Sequence, residues 1–219
     1  MCFSATASFT AGALLIALGS VTVSLAAAPR ERPFAAIPLL FGLQQLIEGG
    51  IWLSLQNGLT ELGGSLTLAY ALFSHILWPA YIPIAVLLLE TVGWRRGALG
   101  ALVGTGIALS AWLLGAIAAD GIASRAVGKH IEYETGHVFS HGTAAVYALA
   151  TVVSLLISSS PTVRLFGVLS LLSGMAAYWF YATSFVSVWC YFAALLSVVV
   201  LLHFKLRWKT RLPASAVAR

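Results

Sequence analysis

The sequence predicts an all-α integral membrane protein built as a bundle of seven transmembrane helices. Of its 219 residues, 60% are hydrophobic and only 9% are charged, whereas about a quarter of the residues in a soluble domain carry charge. Seven apolar stretches come close to the roughly 20 residues that a helix needs to cross a bilayer. The same composition excludes a disordered chain, which needs low hydrophobicity and high charge. The length accommodates one bundle and no separate soluble domain.

Turn-forming residues separate the apolar stretches and mark the expected helix ends. They are Pro29 to Pro33, Asn57-Gly58, Gly63-Gly64, Gly93, Asp120-Gly121 and Ser158 to Pro161. The last break, at 182–184, contains no charge, so we expect the sixth and seventh helices to form a tight hairpin. The predicted spans are 9–28, 34–55, 66–89, 98–118, 138–158, 163–181 and 185–204.

The lysines and arginines set the expected orientation, because they accumulate on the cytoplasmic side of bacterial membrane proteins. Of the twelve, only Arg125 and Lys129 fall at one set of helix ends, and the others fall at the opposite set. We therefore expect a bacterial inner (plasma) membrane protein with its N-terminus outside and its C-terminus in the cytoplasm. Residues 1–9 carry no Lys or Arg, so the first stretch is interpreted as a retained span rather than a signal peptide.

This orientation divides the chain into three parts: an outside segment 1–8, a membrane domain 9–204 with an outside loop at 119–137, and a basic cytoplasmic tail 205–219. The lipid bilayer is the expected partner. Nucleic acid is not, because the net charge of +5 is explained by membrane orientation and no basic run is interleaved with aromatics. Small residues in the first and fourth helices predict close helix packing. They are Gly12, Gly19, Gly100, Gly104 and Gly106.

Glu48 is the first candidate for chemistry, because an ionisable side chain inside a span is costly and often functional. It shares a helix face with Gln44 and Trp52, at spacings of four residues. It lies roughly 21 Å along the second helix, in the outer half of the bilayer. Gln44 and Gln45 beside it suggest a polar cavity. The alternative is a neutral glutamate that only hydrogen-bonds to a neighbouring helix.

His75 is the second candidate and falls near the middle of the third span. Pro79 and Pro83 follow in the same helix and release backbone carbonyls from their usual bonds. The imidazole is interpreted as a metal ligand or an acid/base group, with Ser74 beside it as a supporting residue. The alternative is a neutral histidine satisfied by one carbonyl.

His137 and His141 form a His-x-x-x-His pair, which places two imidazoles on one helix face as metal sites require. The pair falls at the outer end of the fifth helix, where both rings could instead be solvated. His130 precedes them in the outside loop together with Tyr133. His130 is interpreted as a solvated loop residue, with a lid or a role in the site as the alternatives, and Tyr133 is interpreted as support for the site.

Cys190 and Cys2 are the two cysteines of the chain. Cys190 falls about two turns deep in the seventh helix, and Cys2 lies in the uncharged segment 2–8, which is small enough to fold back into the mouth of the bundle. They are interpreted as soft metal ligands. The alternatives are a Cys2–Cys190 disulfide in an oxidising periplasm and, for Cys190, simple apolar packing.

All these thiol, imidazole and carboxylate groups fall toward the outer face, so we expect them to meet in one pocket. Such a set of side chains binds transition metals. The metal ligands would be His75, His137, His141, Cys190 and Cys2. The residues that surround and orient these ligands would be Gln44, Gln45, Ser74, Tyr133 and His130.

Three sequence motifs resemble a bacterial family of uncharacterised multi-pass membrane proteins. They are the opening Met-Cys-Phe-Ser-Ala-Thr-Ala-Ser-Phe, the stretch Gln44-Gln45-x-x-Glu48-Gly49 and the stretch Ser187-Val188-Trp189-Cys190. The resemblance covers nearly the whole chain and implies that Cys2, Glu48 and Cys190 matter, without naming a reaction.

A second resemblance is to the seven-helix metal-dependent hydrolases of the alkaline ceramidase and adiponectin-receptor type. Those proteins combine an intramembrane histidine and an acid with a His-x-x-x-His pair, as His75, Glu48 and His137/His141 do here. This chain departs from them in carrying the pair on the fifth helix and in placing Ser74 directly beside His75.

The sequence thus predicts a membrane protein with a metal site near the outer face. The first hypothesis is a zinc-dependent hydrolase of a lipid or another amphiphile, with Glu48 as general base. The second is a redox protein that binds haem or copper. The third is a proton-coupled transporter or sensor that uses Glu48 and His75.

Overall fold

The computed structural model describes residues 4–134, 141–181 and 184–211, with the backbone alone at residues 141 and 208–211. The prediction of an all-α membrane bundle is confirmed. Six of the described helical segments are long and apolar enough to cross a membrane. They are Ala5–Leu25, Pro29–Gln56, Thr60–Leu89, Gly93–Asp120, Pro161–Phe180 and Phe185–Arg207. A seventh apolar helix, Gly142–Ile157, stands where the fifth span is predicted and is shorter than these six.

The elements follow one another along the chain as helices, interrupted by a single hairpin within the described residues. In order they are α1 (Ala5–Leu25), α2 (Arg32–Ala35), α3 (Ile37–Gln56), α4 (Thr60–Ala71), α5 (Trp78–Leu89), α6 (Gly93–Asp120), β1 (Ala123–Val127), β2 (His130–Glu134), α7 (His141–Ala148), α8 (Ser154–Ile157), α9 (Pro161–Phe180), α10 (Phe185–Leu196) and α11 (Val198–Arg211). Wider π-helical turns join α4 to α5 over Leu72–Leu77 and α7 to α8 over Leu149–Val153.

Several helix ends differ from the predicted boundaries. Helix α1 begins at Ala5 because the Ser4 side chain accepts a hydrogen bond from the amide of Ala7 and caps it. Helix α11 continues to Arg211, into the stretch predicted as a tail. The predicted break at Gly63-Gly64 lies inside α4, where a side chain at Gly63 would come within 3.1 Å of Ser54 Oγ. Close packing, rather than a turn, explains that glycine.

The outside loop predicted at 119–137 contains an antiparallel β-hairpin, which the sequence analysis missed. Val127 pairs with His130 across a two-residue turn, and Gly128 in that turn has a φ of 60°. A glycine is favoured at such a position because side chains disfavour positive φ. Arg125 ties the strands together by ion pairs with Glu132 at 2.9 Å and Glu134 at 2.8 Å.

The two ends of the bundle differ in what covers them. The "hairpin end" carries the β1–β2 hairpin, which contacts α3, α4 and α10 and is joined to α4 by a 2.7 Å hydrogen bond between Ser124 and Thr67. The "basic end" carries the connections before α2, after α5 and before α9, together with α11. There Arg207 pairs with Glu31 at 3.1 Å, and Glu90 accepts from the amide of Ser159 at 2.7 Å.

Close backbone contacts hold two helix pairs. A Cβ on Gly19 would lie 2.4 Å from the backbone nitrogen of Leu39, and one on Gly106 would lie 1.9 Å from the carbonyl oxygen of Pro79. These two predicted packing glycines do approach a neighbouring helix. At Gly100 and Gly104, by contrast, an added Cβ would meet nothing within 4 Å, so the packing prediction is wrong for them within the described residues.

Candidate functional site

Glu48 lies at the centre of a polar cluster inside the bundle, near the hairpin end. Helix α3 presents it inward, and its side chain is fully buried. Its Oε1 accepts from Ser187 Oγ at 2.8 Å and from the Tyr133 hydroxyl at 3.4 Å, and its Oε2 accepts from Gln45 Nε2 at 3.1 Å. Three elements, α3, α10 and the hairpin, therefore converge on one carboxyl group.

Tyr133 links the buried carboxyl group to the surface hairpin. It is half-buried on β2, and its ring stacks on that of Tyr70 with centroids 4.4 Å apart and planes within 4°. The aromatic stack fixes the direction of the tyrosine and places its hydroxyl over Glu48. The role of Tyr133 as support for a metal site stays a prediction.

Gln44 and Cys190 extend the cluster away from the hairpin. The fully buried Gln44 accepts from Trp78 Nε1 at 2.7 Å, and Trp78 in turn stacks on Phe41. The Cys190 thiol is buried and lies near the side chains of Gln44 and Tyr70. Cys190 is a free cysteine in the structure. A thiol, a carboxyl group and two amides thus share one polar region.

A small apolar cavity adjoins Cys190 on its other side. Its volume is about 50 Å³, enough for a few atoms. Aromatic rings form much of the wall, and Cys190 connects it to the polar cluster. The wall includes Phe41, Trp78, Tyr147, Phe166, Trp189 and Cys190.

His75 and Ser74 form a separate pair in the π-helical turn between α4 and α5. His75 is buried, and its Nδ1 lies 2.7 Å from Ser74 Oγ; the imidazole also interacts with the carbonyl of Ala71. Pro79 lacks the N–H that would bond to the Ser74 carbonyl in this wider turn, and the Tyr147 hydroxyl donates to that carbonyl at 2.7 Å instead. A role of His75 as a metal ligand or an acid/base group stays a prediction.

His130 lies on β2 at the hairpin end, half-buried beside the ring of Tyr181 at 5.0 Å between centroids. Burial lowers the pKa of His130, and the negative charge of Glu132 opposes that shift. A lowered pKa favours the neutral imidazole at physiological pH.

The metal site remains a prediction. Cys2 and His137 lie outside the described residues, as does the side chain of His141, whose backbone begins α7. Among the residues whose side chains the structure describes, no group of three His, Cys, Asp or Glu is placed to hold a metal ion. Those residues alone do not fit a metal, and we derive no step through one.

Three residues of the cluster were not predicted: Ser187, Tyr70 and Trp78. Ser187 is detectable in retrospect, because it lies three residues before Cys190 and so on the same helix face. Tyr70 and Trp78 carried no such signal, since aromatic residues are common throughout apolar spans.

The fold and the cluster define a multi-pass α-helical membrane protein with a buried carboxyl group near one face. The chain belongs to a family of unknown function, DUF6629, whose model matches residues 1–216. No curated protein and no solved structure matches the chain.

Proposed function

We propose that Glu48 takes up and releases a proton, and that the protein is a proton-coupled transporter or a proton sensor. The observation that carries the proposal is the burial of Glu48 among hydrogen-bonding groups that lead to the surface hairpin. Carboxyl groups inside membrane helices commonly mark proton pathways. Hydroxyl groups such as those of Tyr133 and Ser187 both donate and accept, so they are able to pass a proton on.

Gln45 supports the proposal because it suits both protonation states of Glu48. Its Nε2 donates to Glu48, as an ionised carboxylate requires. Its buried Oε1 has no hydrogen-bond partner among the described residues. If the amide turned over, Oε1 would accept from a protonated carboxyl group, since an amide offers a donor on one side and an acceptor on the other. Proton uptake would then preserve a hydrogen bond between Gln45 and Glu48.

We also infer seven spans, with the hairpin end outside and the basic end in the cytoplasm. The concentration of Lys and Arg at the basic end supports this orientation. The helix Gly142–Ile157 would be the fifth and shortest span. Its π-helical turn at Leu149–Val153 does not end the helix, because helical residues flank the turn on both sides. In this orientation the proton of Glu48 exchanges with the outside through Tyr133.

A metal-dependent hydrolase of a lipid or another amphiphile is the second candidate. The soft thiol of Cys190 near Glu48 favours it, as does the apolar cavity beside Cys190, which could receive part of an apolar chain. Cys2, His137 and His141 would have to supply further ligands, with zinc first and haem or copper as the redox alternatives.

An infrared titration of the purified protein tests the proton proposal. Between alkaline and acidic buffer, the seven acidic residues gain carbonyl absorption as they become protonated, and one band within this absorption should be missing in Glu48→Gln. Glu61→Gln, which changes an exposed glutamate of α4, is the matched control and should keep the band. A spectrum that Glu48→Gln leaves unchanged would reject the proposal.

Elemental analysis and a visible absorption spectrum decide the second candidate. Stoichiometric zinc in a colourless protein would support the hydrolase, and a Soret band would support haem. A metal-free preparation that retains the Glu48 infrared band would leave the proton proposal standing and reject the metal site.

A further inference from the structure

The β1–β2 hairpin covers the polar cluster around Glu48. The side chains of Glu48, Gln45 and Ser187 are fully buried, and Tyr133, on β2, is a partner of Glu48 that reaches the surface. From this cover we propose that the hairpin is a lid, which lifts from the bundle when Glu48 exchanges its proton. The proposal rests on proton uptake by Glu48 and adds the step that controls it.

The hairpin is able to move as one piece. An antiparallel ladder pairs all five residues of β1 with those of β2. Arg125 adds ion pairs to Glu132 at 2.9 Å and to Glu134 at 2.8 Å. Because both ion pairs lie inside the hairpin, they are kept when the hairpin leaves the bundle.

Hydrogen bonds from Ser124 and Tyr133 help to hold the lid to the bundle. Thr67 donates to the carbonyl of Gly63 at 2.7 Å, so Ser124 is the donor in its 2.7 Å contact with Thr67. The Tyr133 hydroxyl donates to Glu48 at 3.4 Å, which is longer than the roughly 2.5–3.0 Å usual for a hydroxyl donor. Both hydroxyl groups are able to exchange these partners for water when the lid lifts.

The lid buries little apolar surface. Within the described hairpin, Ile131 is the fully buried apolar residue, and the ring of Tyr133 stacks on that of Tyr70. Its exposed apolar residues are Ala123, Ala126 and Val127. A segment with few buried apolar contacts opens locally at a lower cost in free energy than a core helix does.

Gly121 supplies a hinge where the lid leaves α6. It follows the last residue of the helix, Asp120, and has a φ of 76°, which side chains disfavour. A Cβ at this position would meet nothing within 4 Å, so the backbone has open space around it. Residues at the ends of elements absorb the change in backbone angles when a lid moves.

A covalent tether tests whether Glu48 depends on the lid. Thr67→Cys and Ser124→Cys are combined in the background Cys2→Ser, Cys190→Ser. The hydroxyl oxygens at positions 67 and 124 are already 2.7 Å apart, and a disulfide places its sulfur atoms about 2 Å apart. The tether is closed by oxidation or with the short thiol cross-linker dibromobimane.

Closing the tether should slow the infrared response of Glu48 to a pH jump roughly tenfold or more, because the lid no longer lifts. The untethered form of the same variant is the control. Equal rates in the two forms would overturn the proposal.

Loosening the lid should have the opposite effect. Ser124→Ala removes a hydrogen bond to α4 and should speed the response of Glu48 about fivefold, the change expected for one neutral hydrogen bond. Ser65→Ala removes an exposed hydroxyl of α4 that bonds to the carbonyl of Glu61 and should leave the rate unchanged. Equal rates in the two variants would overturn the proposal.

Hydrogen exchange of the hairpin amides, measured by mass spectrometry, reports lid opening independently of Glu48. These amides should exchange faster than those of α3, and closing the tether should slow them. Amides that exchange as slowly as those of α3 would overturn the lid and leave proton uptake by Glu48 standing. If no infrared band depended on Glu48, both proposals would be overturned.

Discussion

At the scale of single residues, the hydrogen bonds to Glu48 explain how a carboxyl group is tolerated inside an apolar bundle. Leaving a buried polar group without a partner costs about 1–3 kcal/mol. Ser187, Tyr133 and Gln45 remove that cost by donating to both carboxyl oxygens. The polar cluster is therefore a condition for folding as well as a candidate site.

Replacing Gln45 by methionine, Gln45→Met, should destabilise the protein by about 1–3 kcal/mol, because the hydrogen bond from Gln45 to Glu48 Oε2 is lost while the buried volume is nearly kept. Gln56→Met makes the same change at the exposed end of α3 and should cost no more than about 0.5 kcal/mol. Chemical unfolding in detergent measures both. Equal stabilities of the two variants would show that the Gln45 bond contributes nothing.

Residue types alone identified part of the cluster. Glu48, Gln44 and Gln45 were predictable because polar side chains in a span need one another. Ser187, Tyr70 and Trp78 were not, because their roles depend on how α10, α4 and α5 rotate toward α3. Contacts such as the stacking of Tyr133 on Tyr70 decide how each helix is rotated. These contacts join residues that are far apart in the sequence, and the periodicity of a single helix does not predict them.

At the scale of the elements, prolines and glycines determine how α5 packs on α6. Pro83 has no N–H to donate to the carbonyl of Pro79 in the preceding turn. That carbonyl oxygen instead faces Gly106, where a Cβ would lie only 1.9 Å away. The proline and the glycine are therefore parts of one contact.

Gly106→Ala should destabilise the bundle by about 1–3 kcal/mol, since the added methyl group must push the backbone of α5 aside. Gly104→Ala lies on the same helix with nothing within 4 Å of the added carbon. It should be neutral or stabilise by up to about 1 kcal/mol, because alanine favours helix more than glycine does. Thermal unfolding of the pair tests the contact, and a stable Gly106→Ala variant would contradict it.

Glu90 links the connection after α5 to the connection before α9 at the basic end. We expect this contact to be sensitive to acid. Burial alone would raise its pKa, but the amides of Val92, Ser159 and Thr91 outweigh burial, so the pKa of Glu90 lies below its ordinary value. The ionised carboxylate of Glu90 therefore stabilises the fold fully at a pH above the ordinary pKa of glutamate. This stabilisation is lost as the pH falls through the lowered pKa of the folded state.

Glu90→Gln should therefore lower the melting temperature at neutral pH and reduce the loss of stability on acidification. Thermal melts at a series of pH values measure both effects. Glu61→Gln, at the hairpin end, is the control. This role would be contradicted if acidification lowered the melting temperature of the wild-type protein no more than that of Glu90→Gln.

Hydropathy and turn residues predicted the long helices, because lipid requires long apolar segments with internally bonded backbones. They missed the β1–β2 hairpin, although His130-Ile131-Glu132-Tyr133-Glu134 alternates in polarity over much of β2 and Gly128-Lys129 suits a tight turn. The loop was interpreted by its charges alone. The π-helical turns were also missed, since no simple periodicity predicts them.

At the scale of the whole molecule, the two ends carry different chemistry. The hairpin end covers the Glu48 cluster, and the basic end carries the Arg207–Glu31 ion pair and the hydrogen bond from Ser159 to Glu90. The proposed orientation assigns the first to the outside and the second to the cytoplasm.

Cysteine labelling in intact cells tests this orientation. In a Cys2→Ser, Cys190→Ser background, Lys129→Cys on the hairpin turn should react with a membrane-impermeant maleimide. Lys205→Cys in the middle of α11 should react only after the cells are opened. If only Lys205→Cys is labelled in intact cells, the topology is the opposite of the proposed one. Glu48 would then exchange its proton with the cytoplasm instead of the outside.

The most direct test of the central claim is the sidedness of that exchange. The protein is reconstituted in sealed vesicles of known orientation, and the infrared carboxyl band assigned to Glu48 is followed while the pH is changed on one side at a time. The band should follow the pH on the hairpin side, and Tyr133→Phe should slow its response while keeping the stack on Tyr70. The claim would be contradicted if the band followed only the pH on the side of the basic end. It would also be contradicted if no band depended on Glu48.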